Sequence, residues 1–278
     1  YILIFGKLGF PAMGVQGAAI ATVAGGFAAT LILLGVYLNK TNRTEFAVMK
    51  SFRFNFNIMK KLIYYGSPAG FEMFLNFLAF TTMIAMFHSQ GDSVATATTI
   101  MFNWDLVSFI PLLGIEIAVT SLAGRYMGAG KPDIAQHAAI SAIKTGIFYS
   151  IIILALFVFI PEQLVQVFHP ETPTAVFDEA VPIAVSMIRI AALYVLVEAV
   201  IVALVGALRG AGDTHFTMIV SVAAHWSFVP LLYLSMNVFK LSVPFSWFLL
   251  VLFFLVFSTI LFFRFRSGKW KKIKVIHS

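Results

Sequence analysis

Apolar residues in this chain neither alternate nor gather in one-sided stripes; they run on. Windows of about 20 residues, the length that carries an α-helix across roughly 30 Å of hydrocarbon, recur near 13–38, 62–87, 94–123, 138–160, 180–207, 216–237 and 243–264. Short breaks rich in Gly, Pro, Asn and charge separate them. The pattern predicts an all-α integral membrane protein of about seven transmembrane helices. Only one long stretch, 39–61, is polar without apolar periodicity, and it reads as a connector between two halves of a larger bundle.

Within this pattern the stretch from Ala180 to Thr214 stands out. Its apolar helix carries one carboxylate, Glu198, and closes on Leu208-Arg209-Gly210-Ala211-Gly212-Asp213-Thr214. A carboxylate inside an apolar span costs on the order of 2.5 to 3.5 kcal/mol by insertion scales unless it is paired or faces water. Three further acids share that situation: Glu72, Asp105 and Glu116. Asn76 follows Glu72 by one helical turn, and Tyr194 precedes Glu198 by one turn, so each pair shares a helix face. Asp105 and Glu116, eleven residues apart, also share a face. Oxygen donors of this kind suit Na⁺ or a proton, and an aromatic beside a carboxylate suits an organic cation. A protonated carboxyl hydrogen-bonded to a neighbouring helix is the structural alternative. His225 and Trp226 are ambiguous: a lone His within a span is either a hydrogen-bonded packing residue, the commoner case, or a proton relay.

Composition sharpens the class. The 278 residues are 60% hydrophobic and only 11% charged, with a mean hydropathy of +0.93, where soluble domains carry about 25% charge. The net charge of +7 is placed by the membrane and does not signal nucleic acid. If 39–61 is cytoplasmic, so are 124–137, 208–215 and the tail after Phe263, and these four regions hold 15 of the 19 Lys and Arg. The stretch 161–179, with Glu162, Glu171, Asp178 and Glu179 and no basic residue, is then external, and Arg189 lies near that surface. The tail 266–278 is a basic, cytoplasmic anchor. Asn39-Lys40-Thr41 and Asn42-Arg43-Thr44 fit a glycosylation pattern by chance, on the cytoplasmic side. Without Cys there are no disulfides, thiolate metal sites or Cys nucleophiles, and no hydrolase or metalloprotease motif occurs; an enzyme is not expected. Tyr1 to Phe5 read as the end of a span already under way, so the chain is expected to be the C-terminal part of a longer protein.

Glycine and proline mark the spans and their edges. Gly14, Gly17, Gly25 and Gly26 suit close helix packing in the first. Pro68, Pro111 and Pro230 free backbone carbonyls and offer hinges, with a static kink as the plainer reading of each. Gly128-Ala129-Gly130 and Gly210-Ala211-Gly212 read as tight helix-to-helix turns, with Arg209 and Asp213 pairing or capping the next helix.

Taken in order, Gly9-Phe10-Pro11-Ala12-Met13-Gly14-Val15-Gln16-Gly17, Gly66-Ser67-Pro68-Ala69-Gly70, Ile110-Pro111-Leu112 through Gly124 to Asp133, and Leu208 to Thr214 make the chain resemble the multidrug and toxic compound extrusion (MATE) family of cation-coupled antiporters. The resemblance implies twelve helices in two six-helix lobes. Residues 1–38 would be the end of the fifth and the whole sixth helix, 39–61 the interlobe connector and 62–265 the C-terminal lobe, with the N-terminal lobe missing.

It also implies a cation site on the seventh and tenth helices. The tenth-helix pair falls on Tyr194 and Glu198, whereas the seventh-helix carboxylate falls on Asn76, so Glu72, one turn away, is expected to substitute and to join Tyr194 and Glu198 around Na⁺. The implied activity is export of amphipathic organic cations in exchange for Na⁺ or H⁺ across a bacterial inner membrane, with no other cofactor. Two rivals stay open: a flippase of a lipid-linked saccharide or other amphiphile, and a channel or non-transporting scaffold.

Overall fold

The computed structural model describes every residue except 8, 46–47, 49–53, 171, 173 and 274–278. Lys50, Arg53, Glu171 and Lys274, used above to orient the chain, lie outside the described residues. Helices α1 (Ile2–Phe5), α2 (Gly14–Tyr37), α3 (Lys40–Glu45), α4 (Phe56–His88), α5 (Asp92–Gly128), α6 (Pro132–Phe159), α7 (Pro161–Gln166), α8 (Ala175–Gly210), α9 (Thr214–Tyr233) and α10 (Val243–Arg266) follow in order, with no strand among the described residues. Seven are long and apolar enough to cross a membrane, α9 being extended to Val238 by a π-helical turn. The windows read from the sequence are all helical, but several helices overrun them. α4 starts at Phe56 and takes in Lys60 and Lys61, and α8 starts at Ala175 and takes in Asp178 and Glu179. The end of the expected connector is thus helical. A chain leaving hydrocarbon still gains by keeping its backbone hydrogen bonds, and long charged side chains reach water from a helix surface.

Two compact units are present, Tyr1–Lys61 and Leu62–Ser278. In the first, α1 folds back on the start of α2, where Met13 N–H donates to the Leu3 carbonyl at 3.0 Å. A Cβ on Gly17 would lie 2.4 Å from that carbonyl oxygen, so only glycine fits. Gly17 is the only buried residue in α2; the other small residues expected to pack there do not do so within this unit.

The second unit is built around α8. In its most apolar window 72% of residues are buried, against 22–33% in the helices around it, because α5, α6 and α10 pack along its length. Ala180, Ala184, Ala191, Ala199, Ala203 and Ala207 are fully or almost fully buried, and their small side chains let the neighbours approach. The closest approach is to α5. A Cβ on Gly206 would lie 2.6 Å from Val119 Cγ1 and 2.7 Å from the Glu116 carbonyl, and one on Gly210 would lie 2.3 Å from the Thr120 carbonyl. Thr120 Oγ1 donates to the Gly206 carbonyl at 3.1 Å and to the Glu116 carbonyl at 2.8 Å, bridging the two helices.

These contacts correct two sequence assignments. Gly210 and Gly128 are helical residues, Gly210 serving helix contact; the turns are made by Gly212 (φ 89°) and Gly130 (φ 68°). In both turns the same long-range bond closes the loop, from Lys131 N–H to the Tyr126 carbonyl and from Asp213 N–H to the Leu208 carbonyl. They differ in depth: Ala211, Asp213 and Thr214 are buried, whereas Ala129 and Gly130 are exposed.

Helix α4 is attached differently. It makes no extended backbone-close packing with another helix and is held by individual side chains. Asn76 Nδ2 donates to Ser221 Oγ at 2.8 Å, Trp226 Nε1 donates to the Leu75 carbonyl at 3.2 Å, and Phe80 and Phe87 meet Phe102 and Trp247 edge-on.

Candidate functional site

Two polar clusters occupy the interior of the second unit, both built on α8. The first lies at mid-helix. Tyr194 is 1% exposed, and its hydroxyl donates to Asp105 Oδ1 on α5 at 2.8 Å. Its ring stacks on Phe254 of α10, with centroids 4.9 Å apart. Asp105 and Tyr194 form part of the wall of a cavity of about 70 Å³, closed by Phe80, Phe102, Phe253 and Phe254 and touched by His225. Such a space holds a few waters or an ion with its waters. Glu198, one turn along the same face, is 6% exposed, and its Oε2 has no hydrogen-bond partner among the described residues. Tyr194 lines the cavity together with Asp105 from another helix, and Glu198 is not among the lining residues.

The second cluster is centred on Arg209 in the last turn of α8. Arg209 Nη2 donates to Glu72 Oε1 of α4 at 2.8 Å, and its Nη1 donates to Glu116 Oε1 of α5. This overturns two expectations, on Arg209 and on Glu72. Arg209 does not pair with Asp213; it ties three helices together. Glu72 does not stand in beside Tyr194 and Glu198, where Asp105 holds that place instead. Asp105 and Glu116, on one face of α5, serve different clusters. The physical reason is the glycine contact of α8 on α5, which sets Arg209 level with Glu116 rather than in a solvated loop. Asn76, the position where the resemblance implies a carboxylate, binds Ser221. Asp213 makes no side-chain cap; it accepts from Arg264 Nε at 2.8 Å and Nη2 at 3.0 Å, and the Arg264 guanidinium lies 4.6 Å from the Phe216 ring centre. Arg189 reaches Glu162 at 3.7 Å on the surface.

Among the described residues no three His, Cys, Asp or Glu side chains converge as a metal site. An ion in the cavity would meet Asp105 and the Tyr194 hydroxyl, with waters completing its shell. Sequence reasoning missed Asp105 as the Tyr194 partner and Arg209 as the centre of the second cluster. The Gly206-x-x-x-Gly210 spacing was the available signal for the second.

The MatE family pattern matches residues 68–234, more than half of the chain. The chain belongs to the MATE family. MATE proteins are membrane transporters and not enzymes. Both clusters fall inside the matched region. The chain is similar, at 30% identity over 287 residues, to a probable multidrug resistance protein NorM of Thermotoga maritima, covering 99% of this chain and 58% of that protein. A probable NorM of Pasteurella multocida is 27% identical over 228 residues, covering 81% of this chain and 48% of that one. The chain thus spans about half the length of the curated relatives it matches.

Among solved structures, the fold matches a MOP superfamily transporter from Pyrococcus furiosus with a TM-score of 0.83 at 18% identity, covering 98% of this chain and 60% of that one. It matches a multidrug resistance MATE transporter in an outward-facing conformation with a TM-score of 0.81 at 18% identity, covering 98% and 59%.

Proposed function

We propose that this MATE chain is the C-terminal lobe and connector of an antiporter that exports amphipathic organic cations across a bacterial inner membrane in exchange for Na⁺ or H⁺, its basic tail on the cytoplasmic side. The observation that carries this reading is the Tyr194–Asp105 hydrogen bond in the wall of an aromatic cavity, with the buried Glu198 carboxylate one turn away. Two acids near one another in apolar surroundings are costly unless a cation sits with them. One arriving Na⁺ or H⁺ offsets one of the two negative charges that Asp105 and Glu198 carry; an organic cation does the same and gains the aromatic faces besides.

Only one positive charge is accommodated at a time, so ion and cargo displace each other. The cavity, about 70 Å³, is smaller than the roughly 300 Å³ a drug-sized ligand needs, so the cargo-bound state requires the Phe80, Phe102 and Phe253 walls to part. Relatives named multidrug resistance proteins support the substrate class. The acidic charge at the cavity favours cations over the phosphate-bearing cargo of a flippase.

In the complete transporter, Glu198→Gln and Asp105→Asn should each slow ethidium efflux at least tenfold, measured in vesicles under separate Na⁺ and pH gradients. The gradient whose effect disappears in both variants identifies the coupling ion. Efflux and ion dependence that match the unmodified protein in both would rule this site out.

A further inference from the structure

The second cluster carries an unbalanced charge. Glu72 and Glu116 bring two carboxylates to one guanidinium, Arg209, leaving one negative charge in excess. Glu72 is 1% exposed, and its Oε2, like Arg209 Nε, has no hydrogen-bond partner among the described residues. The groups facing the cluster do not cancel the charge. On α9 the titratable side chain within reach is His225, whose Nδ1 is engaged by the Ser221 carbonyl at 2.8 Å. Asn76 on α4 is neutral and bound to Ser221, and Arg264 on α10 is already committed to Asp213 through two bonds. A metal ion fits poorly, because the guanidinium occupies the centre between the two acids and no third acidic or His ligand converges there among the described residues. The smallest cation has no such requirement.

We propose that Glu72 and Glu116 together take up one proton from water, forming a proton site separate from the Tyr194–Asp105–Glu198 cavity. Arg209 and Glu198 are eleven residues apart on α8, about 16 Å of helix. With the proton bound, one carboxyl is neutral and the other remains paired with Arg209, so the cluster carries no net charge. One of the two ion pairs that join α4, α5 and α8 then becomes a bond from the guanidinium to a neutral carboxyl, without the attraction between opposite charges. Proton uptake therefore slackens the junction of α4, α5 and α8, in which α4 has the least other packing. The site is thus a latch on this junction whose tightness follows pH.

The test is infrared difference spectroscopy, between acid and neutral pH, of the complete transporter in liposomes in an Asp105→Asn, Glu198→Gln background that removes the cavity acids, with a potentiometric count of protons bound. Expected is a protonated-carboxyl band that is present in that background and disappears when the Glu72→Gln, Glu116→Gln double variant is made in it, with one proton fewer taken up per chain. Because the double variant strands Arg209, a triple variant that adds Arg209→Gln removes all three charges together and should lose the same band. A band and proton count equal to that background in both multiple variants would overturn the proposal. So would a band that Na⁺ abolishes at constant pH in that background, which would make the site a metal-ion site.

Discussion

A single hydroxyl illustrates how the interior is balanced. Tyr194 gives Asp105 a donor in surroundings that offer few others, and its ring is fixed by Phe254. Tyr194→Phe keeps the ring and removes the donor. It should lower stability by about 1 to 3 kcal/mol, the penalty for stranding a buried acceptor, seen as a lower midpoint of heat-induced unfolding in detergent. An unchanged midpoint would mean that Asp105 has a second donor. The Tyr194–Glu198 relation was readable beforehand because four residues along one helix is a distance that sequence encodes. The Asp105–Tyr194 and Glu72–Arg209 pairs were not. They join residues on different helices, and nothing in the spacing along one helix states which turn of the next lies opposite. Arg209 was placed in a turn because glycine follows it; the contact of that glycine with Thr120 makes the residue helical and turns Arg209 into a crosslink.

At the level of helices, apolar run length was enough to find every membrane-crossing element, since hydrocarbon thickness fixes the minimum. It was not enough to find their ends, where Lys60, Lys61, Asp178 and Glu179 continue the helix beyond the apolar run. Nor does run length reveal which helix is central; the alanine content of α8 does, in retrospect, because only small side chains allow three neighbours to crowd one axis. The α5–α8 contact makes a sharp prediction. Gly206→Val forces a side chain into Val119 and the Glu116 backbone and should cost about 1 to 3 kcal/mol through overpacking, with lower folded yield by size exclusion. Gly128→Ala, at a helical position with open space around it, should leave yield and unfolding midpoint unchanged. Equal tolerance at both positions would contradict the close approach described for α8.

At the scale of the whole chain, α4 presents Phe71, Phe74 and Phe77 outward, each more than 60% exposed within the structure, a face that lipid or further protein must cover. Relatives about twice as long are consistent with such protein. On this basis the 278 residues placed alone in ethidium-loaded vesicles should carry no dye under either a sodium or a pH gradient, and measurable flux from them would refute the two-lobe reading. The shortness of the elbows has one more consequence. Between α5 and α6, and between α8 and α9, only three residues separate one helix from the next, and the second of these elbows is sunk among side chains. An antibody, a processing protease or a regulatory protein approaching either elbow would find almost no loose backbone to grasp. Recognition there would have to read the helix tips themselves.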